Sequence, residues 1–126
     1  MLTTVKKTSL GGARRARKYA KERAVKRVPF VAAAEVVEVG TGTKLSARTS
    51  EIGVGGCYVD ALNPFHVGTA VTLKIVRDQG AFVAKAKVVY SDASFGMGLQ
   101  FHGLEPEQRM ILENWVAEIV LAERAG

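Results

Sequence analysis

Two arginines four residues apart, Arg23 and Arg27 in the run Arg23-Ala24-Val25-Lys26-Arg27, are the side chains in this sequence best suited to chemistry. A guanidinium is a planar fork that bonds phosphate oxygens two at a time and can donate to, or stack on, a guanine edge. Two such forks at this spacing can converge on one small anion. A second group is the glycine cluster Gly53, Gly55 and Gly56. Two readings of those glycines stay open: a close approach of backbone to a ligand, or a turn or bulge at a sheet corner. They are not a strand-to-helix phosphate loop, because Cys57-Tyr58-Val59 after them reads as strand.

Catalytic constellations are not evident. His66 lies in a turn beside Pro64 and His102 follows a strand, neither with a second ligand at metal spacing. The one cysteine, Cys57, reads as a small buried hydrophobe and excludes an internal disulfide framework. Carboxylates are scattered rather than paired, and we expect a protein that is not an enzyme and uses no cofactor or metal.

The elements that must position these residues are mostly strands. Phe30 to Val39 alternates apolar and polar residues, Gly40-Thr41-Gly42 makes a turn, and Lys44 to Thr49 resumes the alternation. Cys57-Tyr58-Val59 follows the glycines, with Tyr58 and Val59 read as sheet packing, and Asn63-Pro64 marks the next turn. Val71, Leu73 and Ile75 point one way, while Thr72, Lys74 and Val76 point the other. After the turn Asp78-Gln79-Gly80, Phe82 to Tyr90 alternates with Lys85 and Lys87 outward, Ser91 to Ser94 is a loop, and Phe95 to Phe101 is a last strand. Six or so short strands divided by glycine turns suggest an antiparallel barrel or sandwich. Glu105 to Leu121 has helical spacing instead, with Ile111, Leu112, Trp115, Val116, Ile119 and Val120 on an apolar stripe and Trp115 as its anchor in the core.

The 126 residues, with a net charge of +6, suffice for one domain. Charge is concentrated at one end. Residues 1–27 hold ten basic side chains and one acid, a net +9, and the other 99 hold eight and eleven, a net −3. Ala13 to Lys26 favours helix but has only Tyr19 and Val25 as large apolar residues, so residues 1–22 read as a mobile or partly helical arm and 23–126 as the folded domain. The arm could be a solvated tail, with Arg23 and Arg27 two more of its charges, or it could attract nucleic acid. A single aromatic and a net acidic remainder weigh against a nucleic-acid reader. No apolar run approaches a membrane span, and no apolar stretch follows the basic start as in a secretory signal, which makes a cytoplasmic protein the expectation.

Arg-x-x-x-Arg just before Pro29-Phe30, followed by a strand, a glycine-containing motif and the closing segment Phe95-Gly96-Met97-Gly98-Leu99-Gln100-Phe101, resembles the PilZ domain family. The resemblance implies a six-stranded antiparallel β-barrel with a C-terminal helix, here carrying a basic N-terminal arm, and binding of the bacterial second messenger cyclic di-GMP. It assigns the arginine motif to Arg23 and Arg27 and the second motif, Asp/Asn-x-Ser-x-x-Gly, to Glu51, Gly53 and Gly56. Here Glu51 replaces the Asp or Asn, Gly53 replaces the Ser, and Gly56 is retained. The function implied is a ligand sensor whose arm orders on binding and alters contacts with a protein partner or a second copy of the chain. The departures at Glu51 and Gly53 keep open a ligand-independent adaptor acting through protein contacts.

Overall fold

The computed structural model describes residues 27–125. The arm and Arg23 therefore lie outside the described residues. Seven strands follow in order: β1 (Val28–Pro29), β2 (Ala33–Glu38), β3 (Lys44–Ile52), β4 (Gly56–Asp60), β5 (Ala70–Arg77), β6 (Gly80–Asp92) and β7 (Gly96–His102). A helix, α1 (Pro106–Ala125), ends the described chain. All pairings are antiparallel. The order β3-β2-β5-β6-β7-β4 closes on itself through β3–β4, giving a six-stranded barrel, and β1 is a short extra strand against the end of β3.

Period-two alternation builds the interior. Val71, Leu73 and Ile75 of β5 are buried, as are Phe82, Ala84, Ala86 and Val88 of β6 and Met97, Leu99 and Phe101 of β7. Lys85 and Lys87 are exposed on the outer side. Val28 and Phe30 enter the same core. Cys57 is a free, fully buried thiol within it, and burial pushes it up to about 12 from its ordinary 9.0.

The strand expected from Phe30 to Val39 is shorter, Ala33–Glu38, because residues 30–32 leave the ladder between β1 and β2. The buried hydroxyl of Thr49 donates to the Phe30 carbonyl at 2.7 Å and accepts the Ala32 N–H at 3.0 Å. A side chain thus takes the place of regular pairing where β3 bulges between Thr49 and Glu51. β3 also runs to Ile52 rather than stopping at Thr49, because β1 and β4 both pair with its far end. The helix likewise extends past Leu121 to Ala125.

Leu112 and Trp115 carry the buried face of the helix. The Trp115 ring stacks on Phe30 with centroids 5.7 Å apart and tilts against Phe82 at 6.2 Å, while Phe82 meets Phe101 at 5.2 Å. The Arg77 guanidinium lies over Phe30 and Trp115 and bonds Glu118 at 2.5 Å. Helix, barrel end and the chain just after β1 are therefore fastened together at Phe30. That anchor fixes where Arg27, three residues upstream, enters the barrel surface.

Candidate functional site

Arg27 directly precedes β1, whose pairs Val28↔Ile52 and Pro29↔Glu51 lay the incoming chain along the end of β3. The following hairpin turn is made by the glycine cluster. The Gly53 N–H donates to the Gly56 carbonyl at 2.9 Å, and the Gly55 carbonyl accepts the Phe101 N–H at 2.9 Å. A methyl group on Gly56 would run into the Leu99 carbonyl and stand 2.7 Å from Arg27 Nη2. Only a residue without a side chain fits between β7 and the guanidinium. The glycines thus make a turn at Gly53, and at Gly56 the backbone is approached closely by the Arg27 side chain and the Leu99 carbonyl.

The bulge in β3 sets the direction of Glu51. Thr49 pairs with Val59, and Glu51 with Tyr58, so Ser50 is the extra residue and Glu51 stands exposed on the outer surface. Ser50 keeps a backbone role here, its carbonyl accepting the Phe30 N–H at 3.0 Å. Of the residues singled out in the sequence, Arg27, Glu51, Gly53 and Gly56 thus come together at one end of the β3–β4 hairpin.

A neighbouring part of the outer surface was not foreseen. A second bulge, between Val88 and Tyr90, places Tyr90 opposite Gly98, and Tyr58 faces Gly98 from the other side. Tyr58 therefore packs on the outer side of the sheet, its centroid 6.0 Å from that of Tyr90, while Val59 packs in the core. The Tyr58 ring covers Gly96, and Tyr90 covers Gly98. Burial is the main cause raising the Tyr58 phenol above its ordinary value, with Tyr90, Asp92, Asp60 and Glu51 adding to it. The alternate glycines at 96 and 98 are the sequence sign of such a roofed strip, since residues two apart share one face.

An open groove of about 580 Å³ lies at the other end of β4, lined among others by Arg48, Asp60, Leu62 and Phe95. Arg48 and Asp60 already pair there at 3.4 Å. His66 and His102 are both exposed, and no three potential metal ligands cluster among the described residues.

The family model for the PilZ domain matches residues 17–118 of this sequence. The chain belongs to the PilZ domain family. Solved PilZ structures share its fold at low identity. The PilZ domain of YcgR from Escherichia coli, solved with c-di-GMP, aligns with a TM-score of 0.69 at 13% identity, over 82% of this chain and 95% of that one. The inhibitor of motility MotI/DgrA of Bacillus subtilis gives 0.68 at 17% identity, over 82% of this chain and 53% of its own, so the chain spans about half of that protein. The PilZ domain of CeSA, from a cellulose-synthesizing bacterium, gives 0.59 at 17% identity over 74% and 96%. No curated protein matches the sequence.

Proposed function

We propose that this PilZ domain is a cyclic di-GMP sensor that works by binding alone. The observation that carries the reading is the guanidinium of Arg27 held over Gly56, with the outward carboxylate of Glu51 on the adjacent strand. A structural likeness to a domain solved with c-di-GMP agrees with it.

In this reading Arg27, joined by Arg23, neutralises the ligand phosphates through charge-assisted bonds. Glu51 accepts from the N1 and N2 donors of a guanine, and Gly56 lets the Arg27 guanidinium lie close against the backbone. The basic residues upstream raise the local concentration of a dianion. Ligand binding orders residues 1–22 against the barrel, which changes the surface presented to a protein partner or a second copy.

A second reading rests on Glu51 and Gly53. Gly53 lacks the hydroxyl of the family motif and Glu51 is one methylene longer, and a site lacking both interactions would leave an adaptor acting through protein contacts. Calorimetric titration with cyclic di-GMP, beside Arg27→Ala and with GMP and cyclic di-AMP as control ligands, separates the two. Selective binding removed by Arg27→Ala supports the sensor. No binding at high micromolar ligand overturns it in favour of the adaptor.

A further inference from the structure

We propose that Gln100 and Lys87 are ligand-binding residues of the same site, extending it from the β3–β4 hairpin across β7 to β6; this rests on the sensor reading above. Gly56 pairs with Gln100, and Gln100 with Lys87, so the three form one row across β4, β7 and β6. The inward neighbours Leu99, Phe101, Ala86 and Val88 are core residues, whereas Gln100 and Lys87 are exposed. With Arg27 over Gly56, the row presents cation, carboxamide and cation on one side of the barrel.

The surroundings leave an anion one direction in which to extend. The next outward row holds Glu51, Tyr58, Gly98 and Tyr90, and beyond it Asp60 and Asp92 both pair with Gly96. That side is acidic, and its glycines are already roofed: a methyl on Gly96 would stand 2.8 Å from the Tyr58 ring, and one on Gly98 would stand 3.3 Å from Tyr90 Cβ. A phosphate anchored at Arg27 meets carboxylates and filled space on that side. On the other it meets Gln100 and then Lys87, to which no carboxylate is paired among the described residues.

The side-chain chemistry suits a nucleotide with two phosphates and two bases. A carboxamide donates and accepts together, so Gln100 can bond a guanine edge. Lys87 offers a mobile point charge for the second phosphate. Two strand spacings, about 10 Å, separate the ends of the row, which favours a dinucleotide over a mononucleotide.

The test is titration of the full chain with cyclic di-GMP at two salt concentrations, comparing Lys87→Ala, Lys87→Arg, Gln100→Ala, Lys74→Ala and Arg27→Ala, with folding checked by circular dichroism. Lys74 is an exposed lysine on β5, paired with Glu35 and Val83 and away from the row, and it controls for net charge. Lys87→Ala should bind about three- to tenfold more weakly, with a shallower salt dependence. Lys87→Arg and Lys74→Ala should stay within about twofold of the parent. Gln100→Ala should narrow the preference for cyclic di-GMP over cyclic di-AMP. Parental affinity in Lys87→Ala and Gln100→Ala, with binding lost in Arg27→Ala, overturns the extension and leaves the sensor standing. Equal losses in Lys87→Ala and Lys74→Ala overturn the row as a specific site. A parent that does not bind overturns both readings.

Discussion

The guanidinium of Arg27 lies over the α-carbon of Gly56, so close that a methyl there would stand 2.7 Å from Nη2 and run into the Leu99 carbonyl. Two motif residues distant in sequence thus share one contact, with the β7 backbone behind it. Gly56→Ala should therefore do two things together: lower stability by about 1–3 kcal/mol and weaken ligand binding by displacing Arg27. Gly55→Ala is the matched control, since nothing lies within 4 Å of a methyl at that position. Thermal denaturation with calorimetric titration of both variants checks this. A Gly56→Ala protein with parental stability and affinity would show that the contact is not needed.

The departures from the family motif are repairable in principle. Glu51 is exposed and points outward, and Gly53, though buried, is not among the left-handed glycines of the described residues (Gly42, Gly68 and Gly103), so a serine there meets no φ penalty. The double substitution Glu51→Asp with Gly53→Ser should tighten cyclic di-GMP binding by about tenfold, the worth of one or two neutral hydrogen bonds. Affinity unchanged from the parent would mean that residues 51 and 53 do not face the ligand.

Alternation made much of this fold legible: Val71, Leu73 and Ile75 face inward as their spacing requires, and Trp115 sits at the centre of the helix contact. It gave no sign of the two bulges. Alternation through Phe82, Ala84, Ala86 and Val88 buries Tyr90, and it is buried, but the register shift after Val88 sets it against Gly98 and Tyr58 instead of in the central core cluster. An extra residue in one strand inverts every face beyond it and has no signature in polarity. Thr49 was equally silent, since a threonine in a strand pattern reads the same whether its hydroxyl faces water or closes a break in the ladder. For the candidate site, arginine spacing pointed to Arg27, and the family resemblance to Glu51, Gly53 and Gly56. Gln100 and Lys87 became visible only when register placed them in line with Gly56.

Thr49 supplies the next prediction. Its buried hydroxyl serves both the Phe30 carbonyl and the Ala32 N–H, and Phe30 carries the Trp115 stack that fixes the chain after Arg27. Thr49→Val keeps the shape but leaves both backbone groups without their partner, and should cost about 1–3 kcal/mol. Thr49→Ser retains the hydroxyl and should lose less. Urea denaturation of the two variants gives the comparison, and a valine variant as stable as the parent would remove the hydroxyl from the account of why the strand breaks.

Cys57 ties stability to alkaline pH. Burial raises its thiol from 9.0 to about 12, and the nearby Arg27 charge offsets only part of that rise. In the unfolded chain the thiol loses its proton near the ordinary value, whereas the folded protein still holds it. Between 9.0 and about 12 the unfolded state therefore binds fewer protons, and stability must fall as pH rises. Tyr58, raised mainly by burial, pulls the same way above its own ordinary value of 10.0. Urea midpoints measured across this range should decline for the parent and decline less steeply for Cys57→Ala, whose packing loss shifts the whole curve without adding slope. Tyr58→Phe should flatten only the upper part. The same protonated thiol should resist iodoacetamide at neutral pH while the protein is folded and react once urea unfolds it. Rapid alkylation of the folded protein, or equal slopes for parent and Cys57→Ala, would show that the interior at Cys57 opens to water.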